Sequence, residues 1–311
     1  MKVAICFPGQ GSQRPGMGRV WRETPHWQRV ADAEAVTGRP VGDLLCNADA
    51  DVLDRTDNAQ LCTYVVSIMA FEALSVDRYW PAVFAGHSLG EYSALTAAGY
   101  LGYEDGLRLV VARGDLTWEL SRRDGGSMAA ILGLPDLRVE QLCEEQGPGV
   151  WPANFNAPGQ VVISGQTEAV DRVVDAAPLA GAIRAVRLAI TGGFHCPMMA
   201  PAEGPFGSVV NRVTFDSGHW AVVANLDGAI HRAPSDWPPL LARQLSGPVR
   251  WTRTMQTLVE ESVSIFIGIG PGRVLTGLAK RTARGMERLD ADAPETAQGI
   301  AATVRARLRA G

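Results

Sequence analysis

The amino-acid sequence predicts an α/β protein in which a small α/β unit interrupts a larger one, and three observations lead there. A short apolar run over residues 3–7 halts at Pro8-Gly9, as a buried strand entering a loop does. Val83-Phe84-Ala85 passes through Gly86-His87-Ser88-Leu89-Gly90 into an apolar stretch that stops at Gly99, which reads as strand, tight turn and helix. From about Gly125 the texture changes to short alternating segments in the order β-α-β-α-β.

Taken in order, residues 61–74 place Leu61, Val65, Ile68 and Met69 at helical spacing and predict a core helix. In the interrupting unit, strands are expected at 127–132, 160–164 and 185–190, with helices at 139–145 and 168–177. Residues 263–269 read as a buried strand ending in Gly270-Pro271-Gly272, and the last dozen residues as a frayed surface helix.

The bulk numbers exclude several classes. With 311 residues, 46% of them hydrophobic and 20% charged, the chain can bury a sizeable core and is neither fibrous nor disordered. Its formal charge of −4 opposes nucleic acid and anionic membrane surfaces. No apolar run approaches the roughly 20 residues needed to cross a bilayer, and the opening run is too short for a signal peptide. Five scattered cysteines contain no CxxC pair, which argues against a disulfide framework or a zinc site and for a reducing, cytoplasmic setting.

Chemistry concentrates at Gly86-His87-Ser88-Leu89-Gly90. A G-x-S-x-G sequence between strand and helix exposes a serine hydroxyl on a cramped turn, with the next amide at a helix start ready for an oxyanion. An ordinary Gly/Ser turn is the competing interpretation, and the strand-to-helix context favours the nucleophile. Serine needs a general base. His87 should project away from the hydroxyl, and His26, His219 and His231 lie in polar, solvated-looking stretches. His195, in a rigid Gly-Gly-Phe-His-Cys-Pro loop, is the better candidate. Cys196 has nothing around it to lower its pKa and is not expected to compete as a nucleophile.

Four stretches occur in a particular order: Phe7-Pro8-Gly9-Gln10-Gly11-Ser12-Gln13, the Ser88 motif extended through Leu95, Gly193-Phe194-His195 and Gly268-Ile269-Gly270-Pro271-Gly272. With them the chain resembles, from about residue 3 to 281, the malonyl-CoA:acyl carrier protein transacylases and the related acyltransferases of polyketide synthases, discrete trans-acting ones included. The resemblance implies an α/β-hydrolase-like core with a parallel sheet, formed by residues 1–123 and 192–311. It also implies a small ferredoxin-like subdomain over 124–191, with the active site in the cleft between the two.

By residue, the resemblance implies Ser88 as nucleophile and His195 as base, the backbone N–H groups of Gln10 and Leu89 as oxyanion hole, and a main-chain carbonyl at Gln244 that orients the imidazole. Arg113 matches the arginine that grips the free carboxylate of malonyl, for which a planar guanidinium is suited; read without the family, it would be a surface pair with Asp115 or Glu119. Phe194, Asn154 and Asn156 match pocket positions, although both asparagines also suit a turn around Pro158-Gly159. The implied donor is the coenzyme A thioester malonyl-CoA and the implied acceptor the phosphopantetheine thiol of an acyl carrier protein, in fatty acid or polyketide biosynthesis. The enzyme would be a cytoplasmic monomer with no bound cofactor and no metal, and without nucleic-acid or membrane partners.

Departures from the family pattern keep alternatives open. Asn58-Ala59 stands where Gln-Pro is frequent, and Gly192-Gly193 replaces bulkier pairs, so a substituted malonyl or other acyl unit is a second possibility. An acyl hydrolase that edits stalled carrier proteins and an inactive carrier-protein scaffold are others; the presence of Arg113 weighs against the hydrolase.

Overall fold

The computed structural model describes residues 1–310, and ten strands order the chain. They are β1 (Val3–Phe7), β2 (Ala82–Gly86), β3 (Ser127–Leu132), β4 (Val150–Ala157), β5 (Gln160–Gly165), β6 (Arg184–Thr191), β7 (Ala221–Val223), β8 (Ile230–His231), β9 (Ile265–Ile269) and β10 (Glu287–Ala291). Six form one sheet in the order β10-β9-β1-β2-β7-β8, parallel except for the edge strand β8. β1 and β2 are buried along their whole length, and their unbroken apolar sequences are what a parallel sheet covered on both faces requires.

A helix at Thr56–Leu74 backs this sheet, beginning five residues before the predicted start. Its first turn, Thr56-Asp57-Asn58, is polar yet buried, and Asp57 accepts from Arg55 at 3.0 Å and from Arg39 at 3.5 Å. Tertiary pairing, absent from local sequence, moves that turn inside.

The second sheet, β4-β5-β3-β6, is antiparallel throughout, with helices Asp136–Glu145 and Thr167–Ala176 packed on one face. The chain order is therefore β-α-β-β-α-β, the ferredoxin-like arrangement, where sequence reading found only three strands. The one missed is β4. Pro152, Asn154 and Asn156 break its apolar pattern, but β4 lies at the sheet edge and carries two register shifts, where proline costs no ladder bond. The two asparagines are strand residues, not a turn. A parallel sheet and a separate antiparallel one thus make up the expected mixed α/β fold.

The chain's end corrects another expectation. Helix Pro294–Ala310 is not a loose surface element: Ala297, Ala301 and Val304 are buried in the main core. Among the described residues no helix is long and apolar enough to cross a membrane.

Candidate active site

Ser88 sits between β2 and helix Gly90–Ala98 with φ +53°, a left-handed conformation that is costly for a residue with a Cβ. The flanking glycines are steric necessities. A Cβ on Gly86 would lie 1.9 Å from the Gly90 backbone, and one on Gly90 would lie 2.1 Å from the Phe7 carbonyl oxygen. Asn225, just beyond β7, holds the turn closed: its Oδ1 accepts from the Ser88 amide at 2.7 Å, and its Nδ2 donates to the Gly86 carbonyl at 2.6 Å. The serine's own N–H is therefore occupied. The Leu89 amide heads the following helix, and Gln10 lies in the loop after β1, its side chain accepting from Thr56 Oγ1 at 2.6 Å. Neither of these two amides has a hydrogen-bond acceptor among the described residues, so both are available to a developing oxyanion.

The imidazole of His195 is buried, and its Nε2 lies 2.6 Å from Ser88 Oγ. Nδ1 faces two main-chain carbonyls, Gln244 at 3.0 Å and Gly247 at 3.2 Å. Carbonyls only accept, so Nδ1 carries the proton and Nε2 is left to receive one from serine. Burial, then the positive charge of Arg113 and the proximity of His87, pushes the imidazole pKa down to about 3, against the upward pull of the carbonyls that accept from Nδ1. The ring is consequently neutral at cellular pH, with the Nε2 lone pair toward the serine oxygen. In a titration followed by nitrogen-15 NMR, the His195 signals are expected to hold their neutral-imidazole positions down to about pH 5; a midpoint near the ordinary value would show that the ring is solvated.

Arg113, on helix Tyr103–Asp124, is buried beside Ser88 Oγ, to which its Nη2 donates at 3.1 Å. Its other partners are neutral: Gln60 Oε1 at 2.6 Å and Gln244 Oε1 at 3.2 Å. The pairing with Asp115 or Glu119 does not occur; Asp115 pairs with Arg39 instead. Nε of Arg113 is buried with no partner, and desolvation pulls the guanidinium pKa below its ordinary value. A buried cation held only by neutral acceptors is suited to an anionic ligand. Sequence reading missed Gln60, Glu91 and Asn225. Gln60 was within reach, immediately after the Asn58-Ala59 departure; the other two are revealed only by the contacts the fold brings about.

A cavity of about 500 Å³ opens over Ser88 between the two sheets. Its apolar wall comes from the small sheet through Met128, Val162, Leu188 and Ile190, with Phe194 beside the histidine. Asn154 and Asn156 both face it, and Asn156 Oδ1 lies 2.8 Å from Nε2 of His87. His87 thus points away from the hydroxyl, against Trp251. The Gly192-Gly193 pair does not enlarge the pocket. Gly192 has φ +129°, and a Cβ there would meet Ser121 Oγ at 2.3 Å; one on Gly193 would meet Met198 Sδ at 2.6 Å. The Cys196 thiol is turned to the Gly193 carbonyl, 3.2 Å away, and burial raises its pKa. Of the other histidines, His219 is exposed, His231 lies between Asp227 and Asp236, and His26 lies by Glu72.

A hydroxyl within hydrogen-bond reach of a neutral imidazole and a guanidinium, with two free amides nearby, can form, hold and release an acyl ester. The class these features define is the serine-dependent acyl-transfer enzymes. Comparison with known proteins agrees: the acyl transferase domain family matches residues 5–302. The malonyl CoA-acyl carrier protein transacylase of Bacillus subtilis is 37% identical over 300 residues, covering 95% of each chain. That of Escherichia coli K12 is 38% identical over 291 residues, covering 90% of this chain and 92% of the relative. Among solved structures, a malonyl-transacylase in complex with its type II PKS acyl-carrier protein superposes with a TM-score of 0.93 at 36% identity, covering 97% of this chain and 100% of that one. The transacylase of Coxiella burnetii gives the same TM-score at 32% identity, covering 98% of both chains. This chain belongs to the malonyl CoA-acyl carrier protein transacylase family.

Proposed function

We propose that the protein moves a malonyl group from malonyl-CoA to the phosphopantetheine thiol of an acyl carrier protein, by way of an ester on Ser88, in fatty acid or polyketide biosynthesis. His195 Nε2 takes the serine proton as Oγ attacks the thioester carbonyl. The amides of Gln10 and Leu89 hold the tetrahedral oxyanion, and the imidazolium returns the proton to the departing coenzyme A thiolate. The carrier thiol then gives its proton to His195 and attacks the ester, and the serine oxygen is reprotonated as it leaves. The carbonyls of Gln244 and Gly247 keep Nδ1 protonated through both halves. Each step uses only the chain's own groups, and the reading includes a cytoplasmic monomer.

The observation that carries this reading is Arg113, a buried cation without a carboxylate partner, 3.1 Å from the hydroxyl that bears the acyl group. So short a reach suits a diacid with a single carbon between ester and carboxylate. The space beside Gly192 and Gly193 is already filled, which favours unsubstituted malonyl over larger units. Phe194, Asn154 and the apolar residues of the small sheet form the pocket wall and keep water from the ester, which favours transfer over hydrolysis. Asn156 acts through its contact with His87. In this reading a large unit, 1–123 with 192–311, and a small unit, 124–191, meet at the pocket, which residues of both line.

Incubation with malonyl-CoA followed by intact-mass measurement tests the reading. A malonyl adduct that is stable alone and discharged by a holo acyl carrier protein is the expected result. Rapid release of free malonate without the carrier would establish a hydrolase, and no adduct at all would leave an inactive scaffold.

A further inference from the structure

Three charged side chains in the main core are nearly inaccessible: Asp57, Glu91 and Arg113. Asp57 has its ion pairs with Arg39 and Arg55. Glu91 and Arg113 have none directly, yet both touch one group, the side-chain amide of Gln244. Its Oε1 accepts from Arg113 at 3.2 Å, while its Nε2 donates to Glu91 Oε2 and, at 2.9 Å, to the Ser88 carbonyl. Chemistry dictates this orientation. A guanidinium only donates, so the amide oxygen must face Arg113; a carboxylate and a carbonyl only accept, so the amide nitrogen must face the other way. The second carboxylate oxygen, Oε1, accepts from the Asn225 backbone N–H at 2.8 Å.

We infer that Glu91 is the positioning residue of the carboxylate grip: through Gln244 it balances and orients Arg113, and so sets the preference for acyl groups that end in a carboxylate. The inference rests on the malonyl reading and deepens it. Buried charges persist when they are paired. A carboxylate in direct contact with Arg113 would occupy the fork that a substrate needs. Set one amide away, Glu91 neutralises the buried site while leaving the guanidinium edge toward Ser88 free of any carboxylate. Both Glu91 oxygens face N–H donors, so a carboxylate fits and an amide of the same shape satisfies only one of them. Burial lifts its pKa to about 7, and the donors from Asn225 and Gln244, with Arg113, act against that rise. A purely structural role, bracing the Asn225 loop, would serve every acyl donor equally, and that difference is measurable.

The experiment compares wild type, E91Q, R113A and the double variant by melting temperature and by initial rates of loading from malonyl-CoA and acetyl-CoA. E91Q is expected to lower the malonyl-to-acetyl loading ratio about tenfold or more, and to change it little once Arg113 is alanine, because residues joined in one hydrogen-bond network do not act additively. The double variant is expected to melt above either single one, since removing both buried charges leaves neither stranded. Equal loss for the two donors, or additive falls in melting temperature, would overturn the inference. If E91Q alone does not fold, a folded double variant supports it and an unfolded one overturns it. Should wild type form no malonyl adduct, the functional reading fails, while the melting temperatures still decide whether Glu91 and Arg113 are coupled.

Discussion

Ser88→Ala is expected to leave no acyl adduct after incubation with malonyl-CoA and to lower transfer to a carrier protein on the order of a millionfold, the loss typical when a serine nucleophile is removed. The size follows from the absence of any substitute. His195 Nε2 has the Ser88 oxygen 2.6 Å away as its partner. The nearest thiol in sequence, Cys196, is buried against the Gly193 carbonyl with its pKa raised, so it offers neither reach nor thiolate. Fold and cavity should be unaffected, because the elbow is held by Asn225 through backbone groups that alanine retains. An adduct of unchanged mass on the alanine variant would show that another residue carries the acyl group.

Arg113→Ala is expected to cut malonyl loading by roughly a hundredfold while acetyl loading falls far less. Charge-assisted hydrogen bonds each contribute about 1.5–3 kcal/mol, and a two-pronged grip on a carboxylate places the loss near the upper end. Acetyl loading is not spared altogether, since the same guanidinium donates to Ser88 Oγ at 3.1 Å. Competition between the two donors, followed by mass measurement, checks the ratio. Equal losses would mean that Arg113 orients the nucleophile and does not select the acyl group.

What could be read from sequence divides by range. The elbow was legible because its constraint is local: crowding between Gly86, Gly90 and β1 demands glycine at fixed spacing, and that demand is written in five residues. The central strands were legible because burial on both faces requires unbroken apolar runs. β4 was not, since an edge strand tolerates Pro152 and two asparagines that imitate a turn. Helix Pro294–Ala310 was misjudged because its buried face has only two large apolar residues, Ile300 and Val304, beside Ala297 and Ala301, a weak hydrophobic signal among the arginines. The link from Arg113 through Gln244 to Glu91 joins three distant segments and has no local signature at all. Family resemblance supplied Arg113 and the main chain of Gln244; Glu91 lay inside the Ser88 motif as it runs on to Leu95, without any local feature to mark it.

The small sheet leaves and rejoins the main body at one place, where the Gly192 amide donates to the Gly126 carbonyl at 3.0 Å. About half of the chain between Val83 and Ala221, which pair in neighbouring strands, lies between those two glycines. Once the inserted segment has folded on its own, the tether that must close for β2 to meet β7 is effectively halved. Entropically that is a gain of only about 0.6 kcal/mol, so the interruption weighs little on the finished protein. Its consequence is kinetic: the order of assembly during synthesis favours an early-formed inner unit, with the outer sheet completed only after the distal third of the polypeptide has arrived.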